Sequence, residues 1–317
     1  IIFLIQGCAA LKGPQKIPDS HLNNPLLYSF NDIIDFNNIQ PGDIDAATTS
    51  VLIDADKILK EILAVLHTDR TFENTLLKID DLYNTVYKVW NLIELLSSTH
   101  PSEIIRDEAD KNDIIISVYM IDLSLNEDIY KSILAYSKSK EALELTGGRK
   151  RFLNSELSDF KRSGMDLKGN KREKLKVIQT RLSELGIAFS NNITSYDDTL
   201  FINKEMISGL PEDYKIDHLQ TDGNYAIDLS YPSFDPFMKY ADSDSMRKLL
   251  RYMHQNIAVP DNLDILNEII SLRNKMAEIL GYSTFADYAI EESMAKSPVA
   301  VWEFENSLRK SIEKKAS

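Results

Sequence analysis

Cysteine is almost missing from this sequence. Cys8 is the single one in 317 residues, so an intrachain disulfide is excluded. Glycine (11) and proline (10) are too scarce for many short strands joined by tight turns, and the balance favours long helices. Positive charge is in deficit. Lys and Arg total 36 against 49 Asp and Glu, and the net charge of −13 argues against a nucleic-acid-binding face. The basic clusters Arg149-Lys150-Arg151 and Lys168 to Lys176 read as solvated helical surface. No His-Glu-x-x-His, Gly-x-Ser-x-Gly, phosphate-binding glycine loop or dinucleotide fingerprint is present.

Histidine is sparse and scattered. His21, His67, His100, His218 and His254 lie at least 33 positions apart, so no two share a helical turn as zinc ligands. The adjacent carboxylates Asp80-Asp81, Asp197-Asp198 and Glu291-Glu292 point about 100° apart if helical, which keeps each pair from converging on one atom. From the residues alone, no catalytic residue and no metal ligand is assigned.

Apolar residues make up 43% of the chain, enough for a large core and for one or two domains. At the start, Ile-Ile-Phe-Leu-Ile-Gln-Gly precedes Cys8. This run is too short to span a bilayer and resembles the end of a bacterial lipoprotein signal, with Cys8 as the lipidated residue. Residues 1–25 are then expected to be a signal remnant and linker, with Gly13, Pro14, Pro18 and Pro25 breaking any periodicity. That reading gives a membrane tether through Cys8 and an envelope or periplasmic location. The alternative is an inert apolar segment of a cytoplasmic protein.

From Ala46 the pattern is helical. Ile58, Ile62 and Val65 form one stripe with Leu59, Leu63 and Leu66 beside it, and Phe72 to Leu96 carries another. Further helices are expected from Pro101 to Ile121, Glu127 to Tyr136 and Lys138 to Leu145, with Gly147-Gly148 as punctuation. The cleanest pattern runs from Lys171 to Ile193. Leu175, Ile178, Leu182, Leu185, Phe189 and Ile193 share a face there, and Gly186 costs about 1 kcal/mol relative to Ala. One region alternates instead: Tyr225, Ile227, Leu229 and Tyr231 fall on one side of an expected strand. Asp222-Gly223-Asn224 supplies a turn, Thr199 to Ile202 is the expected partner, and a short helix and turn are expected from Met206 to Asp213. Ser297-Pro298 reads as a helix start, followed by Val301, Phe304, Leu308 and Ile312 at helical spacing.

Several segments, in order, carry a family resemblance. RLSELGIAFSNNI from Arg181, LSYPSFDPFMKYADSDSMRKLL from Leu229 and LRNKMAEILGYSTFADYAIEESMAKSPVAVWEF from Leu272 resemble the thimet oligopeptidase, oligopeptidase A and dipeptidyl carboxypeptidase family of zinc metallopeptidases. NEDIYKSILAY and FLNSELSDFKRSGMDL fit more loosely. The resemblance spans Ala46 to Ser317. Within it, Pro232 and Pro236 are expected to end the strand, and Asp242 or Ser243 to cap the next helix. Gly281 is expected to end a helix with positive φ and Thr284 to start another, with Tyr282, Phe285 and Tyr288 as packing area.

The resemblance implies a mainly α fold: the multi-helix N-terminal half of a channel-type zinc oligopeptidase, with a small β-hairpin near residues 199–231. Residues 26–317 would form this helical region, cut before the catalytic zinc domain. Short peptides are the implied substrates, zinc the implied cofactor with its ligands outside this chain, and the C-terminal catalytic half the implied partner. The chain is expected to be inactive alone. The alternative is a non-catalytic helical module, derived from the peptidase, that binds peptide or protein.

Overall fold

The computed structural model describes residues 24–29 and 32–316. Cys8 and His21 lie outside the described residues, as do residues 1–25 apart from Asn24 and Pro25. Thirteen α-helices and one two-stranded antiparallel sheet make up the described regular structure, together with short 3₁₀ and π turns. The mainly α expectation holds. The chain divides into two compact units, Ile1–Thr180 and Arg181–Ser317.

The first unit is built on three long helices, α1 (Asp43–Ala64), α2 (Leu77–Thr99) and α3 (Glu103–Ser124). Their apolar stripes interlock. Ile44, Val51 and Ile62 of α1 are buried with Ile79, Leu82, Val86, Val89 and Ile93 of α2 and Ile105 and Ile116 of α3. The expected stripe in α1 is only partly right: Ile62 is buried, but Leu63 and Leu66 are exposed, because the packed face turns toward Ile44, Ala47, Val51 and Ala55. Both ends of α1 are satisfied by distant side chains. At its N-terminus the Glu108 carboxylate accepts from the Gly42 and Asp45 amides at 2.8 and 2.9 Å, which places negative charge where the helix dipole favours it. At its C-terminus the buried Arg70 guanidinium donates to the Ile62 and Val65 carbonyls at 3.2 and 2.9 Å.

A π-helical turn, Phe72–Leu76, leads into α2. Thr71 and Asn74 form its capping box, each side chain accepting from the other's backbone amide. Then follow α4 (Glu127–Tyr136), α5 (Lys140–Glu144) and α6 (Gly147–Arg162). Asn126 and Ser139 cap α4 and α5. Gly147-Gly148 falls at the boundary after α5, as expected, and opens α6: Gly147 takes φ 58°, a left-handed entry that glycine tolerates.

The boundary between the units falls inside α7 (Gly169–Thr194). Of its expected stripe, Leu175 and Leu185 are buried, Ile178, Leu182 and Phe189 are half-buried, and Ile193 is exposed.

The second unit packs helices on a small ribbon. Strand β1 (Thr199–Ile202) pairs with β2 (Tyr225–Asp228) in the register Thr199↔Asp228, Leu200↔Ile227 and Ile202↔Tyr225. The last two pairs bury their side chains on one face, as the alternation required. The expected turn and short helix between the strands are present as turns at residues 204–209 followed by α8 (Glu212–His218). The Asp222-Gly223-Asn224 turn forms as expected, closing an isolated bridge between Leu219 and Tyr225, and the connection from β1 to β2 runs through α8. One expectation fails nearby. Tyr231 is 70% exposed and begins α9 (Tyr231–Tyr240), with Pro232 in its first turn and Pro236 inside it. A proline at the start of a helix lacks only an amide that would be orphaned anyway, so Pro232 starts the helix instead of merely ending the strand.

Next come α10 (Asp244–Gln255), α11 (Asp261–Leu280), α12 (Phe285–Ile290) and α13 (Pro298–Ala316). Ser243 sits at the N-cap of α10, although no side-chain capping bond forms there. The other expected boundaries are met. Gly281 ends α11 at φ 89°, Thr284 accepts from the Asp287 amide at 3.1 Å, and Ser297 accepts from the Ala300 amide at 3.2 Å.

Candidate functional site

The most concentrated set of chemistry-bearing side chains in the second unit lies where α8, β2 and α9 meet. Tyr214 and His218, one turn apart on α8, stack with ring centroids 4.0 Å apart. The His218 Nδ1 faces the Tyr214 carbonyl at 2.7 Å, and its Nε2 faces the Ser233 hydroxyl at 3.0 Å. A carbonyl only accepts, so Nδ1 carries a proton, and the Ser233 hydroxyl, able to donate or accept, suits Nε2 in either role. The Tyr214 hydroxyl donates to the Ser233 carbonyl at 2.7 Å, and Ser230 donates to the Ser233 hydroxyl at 3.3 Å. Burial works against the Asp228 charge, but the Ser230 hydroxyl and amide, Ser233 and His218 outweigh it and hold this carboxyl below its usual range.

A serine hydroxyl beside an imidazole nitrogen is the pairing of an activated nucleophile with its base. Here the rest of that machinery is lacking. Ser233 is 4% exposed, both its hydroxyl and its carbonyl are engaged, and a backbone carbonyl takes the Nδ1 position where a triad places a carboxylate. The arrangement fastens the start of α9 to α8. His254 of α10 is likewise absorbed in packing, stacked on Phe234 at 4.0 Å and edge-on to Tyr231 at 5.7 Å.

The other described histidines are separate from these. His100 accepts from the Ser102 amide at 3.1 Å after α2, and His67 sits in an exposed 3₁₀ turn. The carboxylate pairs do not converge either. Asp80 accepts from Asn84, Asp198 from the Thr199 amide, and Glu291 from the Tyr282 hydroxyl at 2.7 Å. Among the described residues no group of three or more His, Cys, Asp or Glu side chains is placed to hold a metal ion. The described donors therefore do not fit a zinc centre, which needs three or four converging ligands.

Sequence reasoning passed over one residue, Glu156. It lies on the buried stripe of α6 between Leu153 and Phe160, at spacings of three and four. That spacing was the available signal. A buried acid on such a stripe is uncommon enough to mark.

A second feature is apolar surface. In α13 most of the expected stripe faces water: Phe304 is 66% exposed, Leu308 and Ile312 are exposed and Val301 is half-buried, while Val299 and Trp302, outside that stripe, are exposed as well. Leu263, Leu266 and Ile270 of α11 are also exposed.

Comparison with known proteins places this helical assembly among the peptidases. The model of peptidase family M3 matches residues 237–317, and that of the neurolysin/thimet oligopeptidase N-terminal domain matches residues 49–172. A thimet-like oligopeptidase of Dictyostelium discoideum is 32% identical over 263 residues, covering 80% of this chain and 39% of the relative. Oligopeptidase A of Haemophilus influenzae is 27% identical over 299 residues, 89% of this chain and 44% of the relative. Saccharolysin of Saccharomyces cerevisiae is 27% identical over 279 residues, 85% and 39%. The matching models and relatives are those of the M3 family of metallo-oligopeptidases, which this chain resembles in two ordered segments. It spans less than half the length of these relatives.

Proposed function

We propose that this chain forms part of the substrate-channel wall of a zinc-dependent oligopeptidase that hydrolyses short peptides, and that it is inactive by itself. Zinc, its ligands and the catalytic base belong, on this reading, to sequence outside these 317 residues. There a metal-bound water would act as the nucleophile. The observation that carries the proposal is the pair of ordered family matches combined with partial coverage of the relatives. The exposed apolar residues of α13 add support, since apolar surface left in water favours a covering partner, here the catalytic half. The proposal extends to location: a lipidated Cys8 would tether the protein in a bacterial envelope, and loss of detergent-phase partitioning in Cys8→Ser would check it.

The test of function is hydrolysis of a short internally quenched peptide. The chain alone is expected to give no cleavage above background. Cleavage by the chain alone, abolished by a zinc chelator, would overturn the proposal. The non-catalytic binding-module reading draws on the continuous buried cluster of the first unit, from Leu26 to Met165. A full-length protein that binds short peptides without cleaving them would favour it.

A further inference from the structure

Helix α6 buries only three residues among those described: Leu153, Glu156 and Phe160. One third of its inward face is thus a carboxyl group, 8% exposed. Its hydrogen bond is a long one, from the Tyr83 hydroxyl of α2 at 3.5 Å. The charges acting on it are negative. Asp159 stands one turn further along α6, where it accepts from Ser155 at 3.2 Å, and Asp80 acts from α2.

Several described cations of the packed elements are engaged elsewhere. On α2, Lys78 pairs with Glu61 and Lys88 lies over the Tyr28 ring. On α4, Lys131 pairs with Glu127 and Asp128. On α6, Arg149 pairs with Glu73 and Lys150 donates to the Ala142 carbonyl. Among the described residues no lysine or arginine offsets the shift of the Glu156 carboxyl. An ionised carboxylate in this position loses water, gains no counter-charge and meets two like charges.

We infer that Glu156 is a proton-operated latch: protonated, it seats α6 beside Tyr83 of α2, and ionised, it turns out toward water and loosens α6. The direction follows from linkage. Burial, and then the Asp159 and Asp80 charges, push this carboxyl up to about 7 from the ordinary 4.5, while the Tyr83 hydrogen bond works against them. Between those two values the folded state holds a proton that the opened state releases. Stability contributed by Glu156 is therefore full below about pH 4.5, falls as pH rises, and is gone above about 7. Tyr83 titrates far too high to share in this, because the same burial raises its hydroxyl further.

The test is hydrogen exchange of the α6 amides from pH 5 to 8, corrected for intrinsic rates, in the wild type and in Glu156→Gln. The wild type is expected to show an opening equilibrium that grows by up to about tenfold per pH unit from 5 to 7, then levels off. Glu156→Gln, a permanent mimic of the protonated form, is expected to stay protected throughout. A flat wild-type profile, or the same slope in the glutamine variant, would overturn the latch. Independently of any variant's folding, the carboxyl ¹³C signal of Glu156 in the wild-type chain should titrate with a midpoint above about pH 6. A midpoint below 5 sinks the inference.

Discussion

The two units bury their apolar residues by different means. In the first, long helices lay stripe against stripe, and a continuous cluster runs from Leu26 to Met165. In the second, the clustered core is confined to Leu200 through Leu250, around a ribbon of two four-residue strands, and relies on local clasps. Those clasps are the His218–Ser233 contact, the Tyr214–Ser233 bond and the loop at Gly209, where Asp242 donates its amide to the Ser208 carbonyl at 3.0 Å and accepts from the Ser208 hydroxyl at 2.7 Å. The lesson concerns sensitivity. A stripe-on-stripe core spreads its stabilisation over many contacts of similar kind, whereas a small core with clasps concentrates it in a few positions.

The largest effect is expected in the helical core. Leu82 is 1% exposed in the second turn of α2, and Leu82→Ala should cost about 3 kcal/mol through lost transfer energy and a cavity. Trp90 of α2, stacked on Tyr87 and bonded to Asp113 at 2.6 Å, gives the fluorescence signal for a urea titration. A loss below about 1 kcal/mol would mean that the first unit is loosely packed, and the contrast would fail.

The next effect is at a clasp. Gly209 has φ +87°, and a Cβ there would stand 2.3 Å from the Tyr240 carbonyl oxygen and 2.8 Å from Asp242 Oδ1. Gly209→Ala should cost about 2 kcal/mol or more, from both the clash and the left-handed backbone. Faster exchange of the β1 and β2 amides would report it, and unchanged protection would break the claim that this loop holds the small core together.

The smallest of the three sharpens the same point. Ser233→Ala removes the partner of His218 Nε2 but keeps the Tyr214 bond to the backbone carbonyl, so about 1 kcal/mol should be lost. Should a peptidase activity of this chain exist and vanish in Ser233→Ala, the clasp would have to be reread as a nucleophile.

Legibility from sequence was uneven, for physical reasons. Helix existence and most boundaries were readable, because periodicity and caps are encoded within four or five neighbouring residues: Gly281, Thr284 and Ser297 do what their residue types suggest. The alternation of Tyr225 to Tyr231 misled at its end, since period two over four residues says nothing about where a strand gives way to a helix, and Pro232 serves a helix start better. The stripe of α13 was readable as a pattern. Its exposure was not, because amphipathicity states that a face is apolar and not what covers it.

By itself, the sequence determined that this protein is mainly helical, where most helices begin and end, and which peptidase family its ordered motifs resemble. Only the tertiary structure decided that Glu108 and Arg70 cap α1, that Glu156 lies beside Tyr83 among like charges, and that His218 reaches Ser233. The Glu108 and Glu156 partners lie 66 and 73 residues apart. Short-range periodicity fixes which way a side chain points from its own helix. What it meets there depends on how distant helices pack, and that is set by the closing of the whole core.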